Sequence, residues 1–185
     1  MIAAPPTDDL GPIHERIWAE LGAAARTRGH PLRTAMLATV GGVAGCDART
    51  VVLREADPEA RELVFFTDAR SPKAEQMVQH PRAVMVMWSA ELGWQLRLTV
   101  GLTLETSGLA VSSRWARLKM TPAAQDYLSP LPPGTPLAHP APERASRDHF
   151  AVVTAQVGSV DWLALDPAGH RRAIFDANGA RWVQP

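Results

Sequence analysis

Hydrophobic positions change their period along the chain, and each change predicts an element. Ile13, Ile17, Trp18 and Leu21 recur at helical spacing, which predicts a helix capped by Asp8 or Asp9, running to about Arg28 and ended by Gly29. From Leu32 the period shortens. Residues 33–40, a turn at Gly41 and Gly42, and a return through 50–53 form a predicted β-hairpin. Residues 63–67 give a third strand, and residues 71–80 a helix stopped by Pro81. The run 83–88 is apolar on both faces, as a central strand is expected to be. Trp94, Leu96, Leu98, Val100, Leu102 and Leu104 then alternate with Gln95, Arg97, Thr99, Gly101 and Thr103. This is the clearest period of two in the chain, with one face for a core and one for something polar.

Two helical stretches, 112–119 and 122–128, lead into a Pro-rich connector over 129–142, whose prolines stiffen a loop rather than pack a core. Strands resume at 150–157 and 159–165, and a last hairpin turns at Asn178 and Gly179 between 172–175 and 181–183. Many strands and few helices predict a mainly β, α+β fold: an antiparallel barrel of about six to eight strands with peripheral helices. Residues 1–185 suit a single domain in which 1–30 is an N-terminal helical segment.

The 19 acidic and 19 basic residues balance, so no long-range field favours nucleic acid or an anionic membrane, and local cation clusters matter more than net charge. No apolar run approaches the length of a bilayer span, and the N-terminus has no basic start; a cytoplasmic protein is the expectation. The single Cys46, between Gly45 and Asp47, is expected in a turn. Six scattered histidines lack the close pairing of a zinc site, so no metal is expected.

The densest chemistry lies at Arg49-Thr-Val-Val-Leu-Arg54, Leu63-Val-Phe-Phe-Thr67 and Arg70-Ser-Pro-Lys73. Two apolar strands carry cations at their ends, and the second runs straight into a helix. Ser71 can accept from the first-turn N–H groups and Pro72 suits the first helical position, while the free amides and helix dipole attract an anion. Each motif alone reads first as solvated strand ends and an ordinary cap. Together they form a candidate phosphate site, with Arg49, Ser71 and Lys73 as its donors and Arg70 either joining them or facing solvent.

That order, with Trp88, Trp94-Gln-Leu-Arg97, Asp161-Trp-Leu163 and His170-Arg-Arg172 downstream, resembles the pyridoxamine 5′-phosphate oxidase-like FMN-binding split-barrel family. The resemblance implies a split barrel binding FMN between two copies of a homodimer. By that resemblance the main chain of Thr50, Val51, Val52 and Leu53, and the side chain of Arg54, run along the flavin, and Phe66 and Thr67 contact it. Gln95 matches a residue bonded to the pyrimidine edge, Trp162 and Arg172 match residues reaching the cofactor from the partner, and His170 matches a substrate-side histidine. Arg97 has no family role and is a substrate-side or interface candidate. Arg49 and Arg54 differ in parity, so an ideal strand points them to opposite faces.

The chain also departs from the family. Ala168 stands where the vitamin B6 oxidases carry an arginine for substrate phosphate, a loss of about 2–4 kcal/mol if nothing replaces it. Ser113–Pro122 lacks their Tyr-Phe-x-x-Arg-Pro-x-x-Ser segment, although Trp115, Arg117 and Lys119 substitute in kind; Pro72 replaces an arginine, and Arg54 a lysine. The expectation is therefore an FMN-dependent oxidoreductase acting on a small molecule other than pyridoxamine phosphate. The alternatives are a non-catalytic flavin- or haem-binding barrel and a deazaflavin-using relative.

Overall fold

The computed structural model describes residues 9–42, 45–139 and 146–185. The candidate cap Asp8 and the end of the Pro-rich connector lie outside these residues. α1 (Gly11–Arg26) buries Ile17, Trp18 and Leu21 against β2. Its N-cap is Leu10, and Asp9 instead accepts from Gly11 N at 2.9 Å. At the other end Arg33 donates to the carbonyls of Ala24 and Ala25 at 2.9 and 2.8 Å, satisfying acceptors the last turn leaves open.

Eight strands follow: β1 (Thr34–Val40), β2 (Cys46–Asp57), β3 (Glu62–Asp68), β4 (Arg82–Ser89), β5 (Trp94–Glu105), β6 (Phe150–Ala164), β7 (Arg171–Asp176) and β8 (Gly179–Val183). α2 (Pro72–Gln79) joins β3 to β4, and α3 (Leu109–Leu118) with a 3-10 turn (Pro122–Tyr127) follows β5. The sheet order is β3-β2-β1-β4-β5-β6-β7-β8, and pairing of β3 with β6 closes the first six strands into a barrel. Closure depends on the length of β6. Phe150–Gln156 pairs with β3 and Val160–Ala164 pairs with β7, so one strand edge serves the barrel and then the two-strand extension.

Two expected strands, 150–157 and 159–165, are thus one continuous β6. Gly158 does not end it. The register against β5 slips between Thr99 and Val100, which absorbs Gly158 as a bulge. Cys46, expected in a turn, is exposed as the first residue of β2, opposite Val40.

Inward positions of β5 (Trp94, Leu96, Leu98, Val100, Leu102) meet Leu37, Leu53, Phe65, Met85, Met87 and Trp162 in the barrel core. A second cluster lies outside the barrel, where α3 and the 3-10 turn cover Val64, Phe66, Phe150 and Val152. The outer faces of β1 and β4 are left uncovered. Met36 is 54% exposed and Trp88 48%, so β4 is central in the sheet order yet buried on one side only.

Candidate functional site

The residues expected to hold a phosphate gather where β2, the end of β3 and α2 meet. Arg49 shares the parity of buried Val51 and Leu53, and its guanidinium turns toward α2. It donates to Thr39 Oγ1 at 2.5 Å, Gln76 Oε1 at 2.8 Å and Leu37 O at 3.2 Å, and pairs with Asp47 at 2.5 Å. Gln76 is the hub of this network. Its Oε1 also accepts from Thr39 at 2.6 Å, and its Nε2 donates to Asp47 at 3.2 Å. Gly41, at φ +133°, leaves the space, since a Cβ there would lie 2.8 Å from Gln76 Cγ. Gln76 escaped the sequence reading; the available signal was a polar residue on the buried stripe of α2 beside Ala74 and Met77.

Lys73 sits one turn before Gln76 and donates to Thr67 Oγ1 at 3.2 Å, which lies 3.3 Å from Ser71 Oγ. Burial lowers the Lys73 pKa, and the neighbouring Arg49 charge lowers it further. The Asp68 and Asp47 carboxylates oppose these effects without cancelling them, and an anion placed against the ammonium would offset them further. Ser71 is the N-cap of α2 but makes no side-chain cap bond; its hydroxyl turns to Thr67 instead.

Arg70 does not join them. Its guanidinium pairs with Asp68 at 2.6 Å and donates to the carbonyls of Ser129, Pro130 and Leu131 at 2.9, 3.0 and 3.3 Å. Its Nε donates to Asp68 at 3.0 Å while Nη1 and Nη2 reach the connector, so the guanidinium ties the Pro-rich connector to the end of β3.

The halves of β2 pair on different edges: Cys46–Val52 with β1, and Leu53–Asp57 with β3. The main chain of Thr50, Val51 and Val52 therefore runs past β3 unpaired with it, while the side chains of Val51 and Leu53 belong to the core. A bulge between Leu53 and Glu55 leaves Arg54 as the extra residue. Both arginines lie within β2 and face opposite ways, as parity requires. Arg54 lies over Phe66 at 5.7 Å and donates to Tyr127 Oη at 3.2 Å, while its Nε is buried without a partner. Arg114 and Arg117 of α3 share Glu55, at 2.7 and 3.1 Å, and line with Arg54, Phe66 and Thr121 a cleft of about 270 Å³.

The remaining candidates lie on the far side of the sheet. Gln95 is half-buried on the outer face of β5, between Trp88 and Leu163, three strands from β2 around the barrel. Arg172, paired with Leu163, binds Asp161 through two donors at 2.9 and 2.7 Å, and Arg97 approaches the same carboxylate at 3.7 Å. His170 is exposed, its Nδ1 accepting from Asp166 N at 3.2 Å. Trp162 is enclosed in the core, 1% exposed, with its ring 5.5 Å from Trp94 and its Nε1 unpartnered. Within one chain it is a core residue, and the implied contact with a partner's cofactor stays a proposal. One chain therefore does not bring Gln95 and Arg172 to Arg49 and Lys73.

The hydrogen bond from Arg172, then its charge and that of Arg97, hold the Asp161 carboxyl below the usual range against the opposing effect of burial. The folded state thus holds this proton less tightly than the unfolded state. The stabilisation is present above about pH 4 and fades as pH falls through the depressed value. Arg172→Leu is expected to lower Tm at pH 7, with the gap to wild type closing in strongly acidic buffer. A gap independent of pH would show that packing, not the ion pair, is what Arg172 supplies.

Among the described residues no group of three His, Cys, Asp or Glu could hold a metal ion, and no helix is long and apolar enough to cross a membrane.

Residues 16–104 match the family model for the pyridoxamine 5′-phosphate oxidase FMN-binding domain, a span that contains β2, β3, α2 and Gln95. A pyridoxine/pyridoxamine 5′-phosphate oxidase of Thermosynechococcus vestitus is 47% identical over 62 residues, 34% of this chain and 28% of that protein. The enzyme of the same name from Microcystis aeruginosa is 37% identical over 62 residues, again 34% and 28%. The chain thus matches under a third of the length of these curated relatives. Among solved structures, an FMN-binding protein related to pyridoxamine 5′-phosphate oxidase from Nostoc punctiforme superposes with a TM-score of 0.74 at 26% identity, covering 97% of this chain and 100% of that one. PhzG of Burkholderia lata, solved with tetrahydrophenazine-1-carboxylic acid, shares the fold at a TM-score of 0.70 and 18% identity, covering 100% and 98%. The sequence match over the strands and helix that carry Arg49, Thr67 and Lys73, together with the closed barrel, identifies residues 16–104 as similar to the FMN-binding domain of pyridoxamine 5′-phosphate oxidase, carried on the split-barrel fold of these relatives.

Proposed function

We propose that the protein is an FMN-dependent oxidoreductase that acts as a homodimer in the reducing cytoplasm on a small anionic substrate. The observation that carries this reading is the convergence of Lys73 and Arg49 beside Thr67 and Ser71, two cations whose crowding a phosphate dianion would relieve. The Thr50–Val52 main chain, free of β3, supplies amides along the ring, and Phe66 backs Arg54 beside it. The flavin supplies the two-electron chemistry, and the protein orients and tunes it.

Exposed Met36, Val84 and Trp88 offer an apolar face to a second copy, which would carry its Gln95 and Arg172 toward the first copy's flavin. The cleft of Arg54, Arg114 and Arg117 supports an anionic substrate, because one Glu55 leaves three guanidinium groups with positive charge to spare. This arrangement of arginines is the chain's own answer to the missing arginine at Ala168.

The test is the visible spectrum of the freshly purified protein, followed by its reduction and reoxidation with amines, quinones, nicotinamides and small carboxylates. A flavin band that turns over with an anionic compound is expected. A colourless protein would overturn the cofactor reading, and a flavin inert to the whole panel would favour a flavin carrier. Gln95→Leu should shift the flavin reduction potential by more than it shifts Tm; the reverse pattern would make Gln95 a structural residue.

A further inference from the structure

Arg61 is the one non-glycine among the described residues with a positive φ, 54°. It closes the turn between β2 and β3, where its carbonyl accepts from Val157 N at 2.8 Å and Gln156 Nε2 at 3.3 Å, so β6 fixes its position. Glycine adopts this conformation without strain, and arginine does not. The side chain obtains nothing local in return, since it is exposed and makes no hydrogen bond or ion pair within the described residues. It does stand at the mouth of a cleft of about 200 Å³ between α1 and the β6–β7 sheet, walled by Leu10, His14, Trp18, Val160 and Phe175. Strain kept at a cleft mouth points to a use for the side chain placed there.

The wall supplies a second donor. His14 Nε2 accepts from Trp18 Nε1 at 3.2 Å, which puts the proton of the neutral ring on Nδ1, and the ring lies 5.1 Å from Phe175. Burial lowers the His14 pKa first and Arg61 second, while Glu15 opposes them, so the neutral form is favoured. Asp176, which also borders the cleft, is already engaged by Asn178 N and Arg181, both at 2.8 Å.

We propose that this cleft binds a single-ring aromatic carboxylate, its ring against Trp18 and Phe175 and its carboxylate on the Arg61 guanidinium and His14 Nδ1–H. The volume suits one ring, since an engineered apolar cavity of about 150 Å³ accepts benzene. None of the candidate cofactor residues lines the cleft, so this site stands apart from the flavin reading.

Benzoate is the probe, titrated into the full-length protein as purified, with Tm and ligand-observed NMR as readouts. Saturable binding is expected, with benzamide weaker because it lacks the charge. Arg61→Gly should keep or raise Tm while weakening benzoate about tenfold or more, a combination that simple destabilisation does not produce. His14→Phe, which keeps the ring and removes the donor, should also weaken benzoate, whereas Lys73→Met should leave it unchanged. Absence of saturable binding, equal affinity for benzamide, or wild-type affinity in Arg61→Gly would overturn the proposal. Loss of binding in Lys73→Met would also overturn it, by assigning the ligand to the cofactor site.

Discussion

Lys73→Met is expected to weaken FMN binding at least about tenfold, and up to about a hundredfold, while leaving riboflavin affinity near wild type. The range follows from losing one charge-assisted bond to a phosphate, about 1.5–3 kcal/mol. Methionine keeps the stem of the side chain and its packing, so the substitution removes the ammonium and little else. Lys73 is the better probe than Arg49, whose guanidinium also braces Thr39, Gln76 and Asp47. Riboflavin is the control because it shares the ring and ribityl chain but has no phosphate. A parallel loss for both ligands would make Lys73 a structural residue, and no loss for either would remove it from the phosphate site.

The same corner shows what a sequence can and cannot reveal about a site. Arg49 and Lys73 were legible as candidates because a cation flanking an apolar run and another in the first turn of the next helix are local patterns, although Arg49 lies within β2 and not at its end. The opposite facing of Arg49 and Arg54 followed from strand parity, and the bulge that singles out Arg54 is a tertiary feature with no local mark in its residues. Gln76 was hidden for a related reason: its partners come from β1 and β2, 27 to 37 residues away, and no short pattern records them. For Arg70 the sequence left two places open, beside Arg49 or in solvent, and the structure takes neither. What decides its place is that carbonyls of the connector, 59 to 61 residues later, take its Nη1 and Nη2 donors.

Strand identity was more legible than strand continuity. The alternation in β5 is clean because its two faces meet different media, a core inside and the outer surface outside. In β6 the glycine at 158 mimicked a break, and only the register against β5 shows that it is a bulge. β4 shows the converse limit. Its residues are apolar on both faces, yet Val84 and Trp88 face outward, so composition showed an apolar face without showing what covers it.

Trp162→Ala should cost about 3–5 kcal/mol of stability, read from the urea midpoint, because a fully enclosed indole leaves a cavity that packed β-strands cannot close. Trp162→Phe should cost far less than its lost volume implies. The indole Nε1 is buried without a hydrogen-bond partner, and removing an unsatisfied donor returns part of a desolvation penalty of about 1–3 kcal/mol. Phenylalanine also retains an aromatic face toward Trp94, 5.5 Å away, and Trp182, 6.4 Å away. The pair of variants separates the two roles the sequence left open. A core tryptophan gives a large stability loss in the alanine variant, a small one in the phenylalanine variant, and flavin affinity that changes only as far as the fold does. A tryptophan that reached across to the partner's cofactor would give the opposite result, with flavin released from Trp162→Phe at nearly unchanged stability.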